Sequence, residues 1–285
     1  MTIRPYRSAL YIPGSKARAL EKARTLPVDA ILFDLEDAVA PTEKETARFT
    51  LRAALEEGGY GDRARIVRIN GTDTGWSRDD LTEIANETPD GILLPKVNGA
   101  EDIEALAAKM DKLPGYADTA IWAMIETPQG VLNAANIAAA PRMAGFVLGT
   151  NDLAKDLQAK GRSALMTSLQ LSLLAARAAG IVAIDGVYNA FKDEDGLKAE
   201  CTEGRAMGFD GKSLIHPAQI AIANTAFAPS EDEIDLARRQ IAAFEEAEAQ
   251  GQGVAVVDGQ IVENLHIETA RATLAKARLI EKSDT

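Results

Sequence analysis

Short apolar runs alternate along the chain with longer amphipathic segments. The apolar runs are continuous, which is typical of parallel strands that are covered on both faces. The segments between them have the length and the start signals of helices. Eight such strand–helix pairs in about 250 residues predict an α/β fold, a (β/α)8 TIM barrel. The predicted strands are Ala9–Ile12, Ala30–Asp34, Arg65–Ile69, Gly91–Leu94, Ile121–Ile125, Gly145–Leu148, Ile181–Ile184 and Gly211–Ile215.

Three segments carry helix start signals. The segments Thr42–Glu45 and Ser230–Glu233 read as capping boxes, and Thr127 stands before a proline at the first helical position. A doubly wound open sheet is the rival fold, but no glycine-rich dinucleotide fingerprint follows the first predicted strand. The pattern therefore favours the barrel.

The pattern changes after Gly251. The apolar segments Val254–Val257 and Ile261–Val262 flank an Asp-Gly pair, which predicts a small hairpin. A final helix is expected over about Ile267–Ile280. We predict a catalytic barrel over residues 1–250 and a lid over 251–285, which would cover its own barrel mouth or that of a neighbouring subunit.

Composition and charge narrow the classes of partner. The chain has 285 residues and a net charge of −12, so no basic face is available for a nucleic acid. An anionic substrate must therefore find a local group of Arg, Lys or metal. No apolar run reaches the length of a membrane span, and the first residues lack the apolar core of a secretory signal. With a single cysteine, Cys201, the chain reads as a cytoplasmic protein that binds neither membrane nor nucleic acid.

Carboxylates follow several predicted strands directly, at the barrel edge where active sites lie. Glu126 follows the fifth strand and Asp152 the sixth, each close to a helix start. Two protein oxygens completed by water and substrate are a usual arrangement for Mg²⁺, so this pair predicts a metal site. The alternative is that each carboxylate caps the helix after it.

Arg68 lies in an apolar strand and needs an anionic partner. A buried ion pair to Glu36 or Asp37 would supply one, and a substrate contact is compatible with it. We place Arg68, Glu36 and Asp37 in the catalytic group. The two acids either hold metal-bound waters and Arg68 or act as structural caps.

Three further positions could carry chemistry. Lys96 could form a Schiff base, but its acidic surroundings favour an ion pair. His216 could be a ligand or a hydrogen-bonded structural residue. The turn after the first strand has Gly14, Ser15 and Lys16 before a helix, which suits phosphate groups, although many turns look like this.

Seven blocks along the chain form a specific pattern: RSALYIPGS, ILFDLEDAVAPTEKETAR, VRINGTDT, LLPKV, IETPQG, GTNDL and GFDGKSLIHPAQI. In this order they resemble the citrate lyase β-subunit-like family of the HpcH/HpaI aldolase superfamily, which includes malyl-CoA lyases. The resemblance runs from Arg7 to about Leu279.

The resemblance implies a Mg²⁺-dependent barrel enzyme of acyl-CoA chemistry. It also implies a homo-oligomer, a trimer or a hexamer, in which the lid of one subunit completes the site of another. The resemblance also assigns roles by position. Glu126 and Asp152 would hold Mg²⁺, and Arg68 would bind the thioester oxygen or the substrate carboxylate. CoA would be contacted by Tyr11, Lys16 and Lys22, and the substrate would be bordered by Ile215 and His216.

Family lyases carry a proton-transferring aspartate in the lid, and this chain has Glu263 at that place. The extra methylene could move the acid by more than an ångström, and such a misplacement can cost ~10²-fold in rate. The segments GVYNAFKDEDGL and VVDGQIVENLH resemble a side branch of the family that hydrolyses (3S)-malyl-CoA. The resemblance therefore implies hydrolysis to malate and CoA. The alternative is a carbon–carbon lyase that acts on malyl-CoA or β-methylmalyl-CoA. It would release glyoxylate and acetyl-CoA from malyl-CoA. A pyruvate-type aldolase and a non-catalytic subunit of a larger lyase complex are the other readings.

Overall fold

The structure, a computed structural model, describes residues 4–283. Eight parallel strands form a closed barrel in which each pairs with the next and the eighth pairs with the first. The predicted TIM barrel is confirmed, and every predicted strand is present with its ends within two residues of those expected. The strands are β1 (Ser8–Pro13), β2 (Ala30–Asp34), β3 (Ala64–Arg68), β4 (Gly91–Leu94), β5 (Ala120–Ile125), β6 (Met143–Leu148), β7 (Val182–Asp185) and β8 (Gly211–Leu214).

Helices follow the strands in the order expected of the fold. The predicted caps Ser230 and Thr127 are confirmed, since each side chain accepts a backbone N–H of the first turn that follows. The helices are α1 (Ala17–Ala23), α2 (Lys44–Glu57), α3 (Ser77–Ile84), α4 (Ala100–Met110), α5 (Pro128–Leu132), α6 (Ala134–Ala138), α7 (Thr150–Asp156), α8 (Met166–Ala179), α9 (Glu194–Met207), α10 (Ile220–Phe227), α11 (Glu231–Ala249) and α12 (Asn264–Ser283).

The capping box predicted at Thr42–Glu45 is wrong. Pro41–Glu43 form a 3₁₀ turn, and neither this turn nor α2 has a side-chain cap. The buried ammonium of Lys44 instead donates to the carbonyl oxygens of Leu35 and Glu36, at 2.8 and 2.7 Å. Lys44 therefore anchors the chain that follows β2, a use that a capping pattern does not reveal.

The barrel interior is a packed apolar core with one large ring system at its centre. Trp122 is 2% exposed. A side chain at Gly91 of β4 or at Gly145 of β6 would overlap its indole ring. The two flanking strands therefore carry glycine where the indole fills the space. The interior cluster comprises Ala9, Ala30, Leu32, Ala64, Ile66, Leu93, Ala120, Trp122, Met124, Ala144, Val147 and Ile184.

The chain divides into two compact units by contact: residues 6–226 form the barrel unit, and residues 227–283 with 4–5 form the other. The second unit contains α11, the antiparallel hairpin β9 (Ala255–Val257) and β10 (Gln260–Val262), and α12. The predicted hairpin and final helix are confirmed. That residues 251–285 form a lid stays a prediction. In the described part of the chain, no helix is long and apolar enough to cross a membrane.

Candidate active site

Strand alternation brings four polar side chains to the top layer of the barrel interior. Tyr11 lies within β1, Asp34 and Arg68 end β2 and β3, and Glu126 directly follows β5. Each stands two residues beyond a member of the interior core, namely Ala9, Leu32, Ile66 and Met124. Because side chains i and i+2 of a strand share a face, all four point into the barrel.

Arg68 is the centre of this layer and is 7% exposed. Its Nε and Nη2 donate to the two oxygens of Asp34 at 2.7 and 2.6 Å. Its Nη1 lies 3.1 Å from Glu36 and 3.7 Å from Asp37. The guanidinium also stands over the ring of Tyr11, 4.8 Å from its centroid. A cation held by three carboxylates is fixed in orientation before any substrate arrives.

Asp34 is the partner that the sequence analysis missed. It is fully buried and pairs in register with Arg68, since the two residues end neighbouring strands. Its oxygens also accept the backbone N–H groups of Glu36 and Ala38, at 2.9 and 3.0 Å. The signal was available: Asp34 ends an apolar strand at an inward-facing position, two residues after a core leucine.

Glu126 is the most perturbed acid of the layer. It is 1% exposed, and one of its oxygens accepts the backbone N–H of Lys96 at 2.7 Å. Burial, with a smaller contribution from the negative charges of Glu36 and Asp152, raises the pKa of Glu126 to about 7. A methyl group at Gly149 would overlap this carboxylate, so the missing side chain of Gly149 makes room for it.

The donor set fits a Mg²⁺ ion. Glu126 is a buried anion short of positive charge, which a cation would relieve. Asp152 lies in the first turn of α7, near enough for its charge to act on Glu126. Thr127 and not Glu126 caps α5, so the carboxylate is not used as a cap. Among residues 4–283, no three or more His, Cys, Asp or Glu side chains are grouped as a metal site, so water and substrate would supply the other ligands.

Lys96 forms an ion pair rather than the alternative Schiff base. Its ammonium lies 2.7 Å from Glu36, and this contact raises the pKa of Lys96. A lysine that stays protonated is a poor nucleophile. The structure thus joins Glu36, Asp37, Arg68 and Lys96 into one charged cluster next to Glu126.

The predicted CoA-binding residues lie in two places. Tyr11 is in the arginine layer, where its hydroxyl contacts the sulfur of Met124. Lys16 and Lys22 are exposed at the start and in the last turn of α1. The backbone N–H of Gly14 donates to the carbonyl of Asp34 at 2.8 Å, which fixes this turn beside the cluster.

Ile215 and His216 follow β8 at the same barrel edge, and both are exposed. The Nδ1 of His216 accepts the backbone N–H of Ala218 at 3.2 Å, which caps a short 3₁₀ turn. Its ring also lies against that of Phe191, with centroids 4.7 Å apart. His216 therefore has structural contacts, and its exposed position leaves the predicted substrate role open.

Two ionisable groups outside this cluster, Asp185 and Cys201, are buried in structural surroundings. Asp185 at the end of β7 is buried between Lys212 and Arg162, at 2.9 and 3.0 Å. Cys201 is buried, and burial raises the pKa of its thiol to about 11, so the thiol stays protonated and inert. In the second unit, Glu263 is exposed directly before α12, and its backbone N–H donates to Nδ1 of His266 at 3.0 Å.

The protein has a closed parallel barrel whose carboxyl edge carries Arg68, held by carboxylates, and the two acids Glu126 and Asp152. These features are typical of a (β/α)8 enzyme. Residues 7–217 match the family model described as HpcH/HpaI aldolase/citrate lyase. The chain belongs to this family.

Relatives extend the similarity beyond the matched segment. A protein named (3S)-malyl-CoA thioesterase from Cereibacter sphaeroides is 64% identical over 97% of this chain and 96% of its own. The citrate lyase subunit beta of Escherichia coli is 38% identical over 97% of this chain and 94% of its own. Among solved structures, protein CitE of Mycobacterium tuberculosis, in complex with magnesium, acetoacetate and coenzyme A, is 30% identical. It has a TM-score of 0.81 and covers 97% of this chain and 99% of that one.

Proposed function

We propose that this chain hydrolyses (3S)-malyl-CoA to malate and CoA with Mg²⁺ as cofactor. The observation that carries the proposal is the 64% identity, over nearly the whole of both chains, to a protein named (3S)-malyl-CoA thioesterase. Support comes from the buried acid Glu126, because an acidic protein needs a local cation to bind an anionic thioester and Glu126 would help to hold one. The CitE structure with magnesium and coenzyme A also supports a site that accepts both ligands.

Glu126 and Asp152 would hold the Mg²⁺ ion, which supplies a positive charge for the hydroxy-acid end of the substrate. Arg68 would donate to the thioester oxygen. Its position against Asp34 keeps the guanidinium in place as negative charge develops on that oxygen, so little reorganisation is needed during the reaction.

Hydrolysis needs a base for the attacking water, and Glu263 is our candidate. Its exposed carboxylate would take a proton as water attacks the thioester carbonyl. The carbon–sulfur bond then breaks, and the thiolate of CoA leaves and takes up a proton. Tyr11, Lys16 and Lys22 would contact CoA, and Ile215 and His216 would border the malyl group.

Carbon–carbon cleavage is the second candidate, favoured by the 38% identity to citrate lyase subunit beta. Here a base removes the proton of the hydroxyl group, and malyl-CoA splits into glyoxylate and the enolate of acetyl-CoA, which takes up a proton. Arg68 would stabilise the enolate oxygen. A non-catalytic subunit is the third reading, because that relative is itself named a subunit.

One experiment separates these three candidates. Purified protein is incubated with (3S)-malyl-CoA and Mg²⁺ while free thiol and glyoxylate are followed in parallel. We expect thiol without glyoxylate. Glyoxylate without thiol would assign the lyase, and neither product would favour the non-catalytic subunit. Glu263→Asp is the diagnostic variant: it should raise glyoxylate formation and lower thiol release, whereas an unchanged product ratio would refute the role given to Glu263.

We further propose a homo-oligomer, a trimer or a hexamer, in which lids are exchanged between subunits. Three leucines on the contacting helices α5 and α8 support self-association: Leu132, Leu174 and Leu171 are 80%, 68% and 43% exposed. Exposed apolar side chains on adjacent helices are typical of a covered surface. A cytoplasmic location, without a nucleic-acid or membrane partner, completes the proposal.

A further inference from the structure

The backbone of Lys96 is in the left-handed region, with φ of 53°. This conformation is uncommon for a residue with a side chain, and it recurs where the surrounding structure holds a functional group in place. Lys96 comes two residues after the end of β4, immediately before the buried Val97. The unusual conformation thus occurs at the carboxyl edge of the barrel, where the candidate site lies.

The left-handed turn gives Lys96 two different contacts with the site. Its backbone N–H donates to Oε1 of Glu126 at 2.7 Å. Its side chain reaches Oε1 of Glu36, also at 2.7 Å. The other oxygen of Glu36 lies 3.1 Å from Arg68. One residue therefore connects the predicted metal ligand with the acid that supports the arginine.

We propose that Lys96 is a positioning residue whose backbone orients Glu126 for the metal and whose ammonium holds Glu36 against Arg68. Its catalytic consequence rests on the proposed function, whereas its effect on metal binding does not. With Oε1 occupied by the N–H group, the Oε2 atom of Glu126, beside Gly149, is left for a cation. Groups that orient metal ligands in this way typically contribute 10–100-fold to metal affinity.

The side chain of Lys96 is half exposed, and its partner Glu36 is 8% exposed. An ion pair with one solvated end contributes little to folding stability. The pair is therefore better explained by the orientation that it gives to Glu36 than by stabilisation of the barrel. The two functions of Lys96 use different atoms, so substitutions can separate them.

The backbone function is tested by metal affinity, measured without substrate by titration with Mn²⁺ and Mg²⁺. Glycine and asparagine tolerate a left-handed backbone, alanine less well, and β-branched valine least. Lys96→Gly, Lys96→Asn and Lys96→Ala, which add no branch at Cβ, should keep the metal dissociation constant within about threefold of the parent, and Lys96→Val should weaken binding about 10–100-fold. Lys96→Thr, which is β-branched but polar, keeps the test decisive if the valine variant fails to fold.

The side-chain function is tested with Lys96→Met, which removes the charge and keeps the size. We expect its metal dissociation constant to match that of the parent while kcat for thiol release falls about tenfold, with Lys96→Arg recovering most of the loss. Equal metal affinity across the Gly, Ala and Val series, or an unchanged kcat in Lys96→Met, would overturn the corresponding half of the proposal.

The metal titration also separates this inference from the proposed reaction. If the protein releases no thiol but the valine variant alone loses metal affinity, the thioesterase is refuted and the backbone function stands. If thiol release is normal but the metal dissociation constant is the same in all variants at residue 96, the thioesterase stands and the backbone function is refuted. Thermal melting of each variant excludes a general loss of the fold as the cause.

Discussion

Asp34 and Arg68 end neighbouring strands and face each other through two parallel hydrogen bonds of 2.7 and 2.6 Å. Asp34 is fully buried, and it also accepts two backbone N–H groups from the turn that follows β2. With both of its oxygens occupied, Asp34 fixes the plane of the guanidinium. The third nitrogen of Arg68 is then directed to Glu36. The cation of the site is thus oriented by the strand register itself.

Replacing Asp34 by asparagine should destabilise the protein by about 3–5 kcal/mol, because it removes a charge from a buried pair. The loss is measured as the free energy of unfolding in urea. Asp258→Asn is a matched control, since Asp258 pairs with Arg239 at 2.7 Å but is exposed, and its exchange should cost less than about 1 kcal/mol. Equal losses in both variants would contradict the special role of the buried pair.

Metal binding should depend on the protonation of Glu126. Because the pKa of this carboxyl is raised to about 7 in the metal-free protein, Mg²⁺ must displace a proton below that pH. We expect Mg²⁺ affinity to fall about tenfold for each pH unit below 7 and to level off above it. Calorimetric titration across this range measures the slope, and a flat profile would contradict the assignment of Glu126 as a ligand.

Because of the same raised pKa, the folding stability of the metal-free protein falls as pH rises, whereas the affinity for Mg²⁺ increases. The folded state keeps the proton of Glu126 up to about pH 7, whereas the unfolded chain loses it near the ordinary pKa of a glutamate. This contribution to stability is therefore present at low pH and is lost as pH rises through 7. Glu126→Gln should remove it, and should also abolish the dependence of melting temperature on Mg²⁺.

Gly149→Ala should weaken Mg²⁺ binding about 10–100-fold, because the new methyl group would displace the Glu126 carboxylate. The backbone of Gly149 has φ of −94°, which alanine accepts, so the effect is attributable to the overlap. Gly75→Ala is the matched control, since a methyl group there has no neighbour within 4 Å. Equal affinities in the two variants would show that Glu126 can move without cost to the metal site.

The strands could be predicted because burial on both faces of a parallel barrel strand determines which residue types it contains. A strand that is covered on both faces is largely apolar, and β4 and β5 are wholly buried and wholly apolar. The hairpin was predictable for a similar reason. Asp258 and Gly259 both have positive φ, at 51° and 76°, which an Asp-Gly pair tolerates.

Other parts of the site were not predicted. Asp34 ends β2 as expected, and the alternation of the strand also makes it the inward-facing partner of Arg68, which the sequence analysis missed. The left-handed backbone of Lys96 has no signature in its own residue type. Lys44 lies in a segment that matches a capping pattern, but its ammonium is held by carbonyl oxygens of the turn after β2. The features at Lys96 and Lys44 depend on contacts between segments that are separate in sequence.

The exposed leucines of α5 and α8 predict that charge at this surface disrupts self-association. Leu174→Glu should lower the molar mass measured by light scattering after gel filtration, because a carboxylate cannot be buried in an apolar interface at low cost. Phe49→Glu is the control, since Phe49 is 46% exposed on α2, away from these helices in the barrel order. A mass that is unchanged by Leu174→Glu would remove this surface from consideration.

Exchange of lids between subunits predicts that two inactive variants can restore each other. Glu126→Gln would lack the metal ligand, and Glu263→Gln would lack the base. If the base comes from a neighbouring subunit, a randomly mixed ring contains sites with both groups intact, and thiol release should recover to about one quarter of the parent. The mixture must be unfolded and refolded together, with separately refolded variants combined afterwards as the control. Recovery only after joint refolding supports exchange, whereas no recovery would mean that each subunit uses its own Glu263. A Glu263→Gln variant that is active by itself would show that Glu263 takes no part.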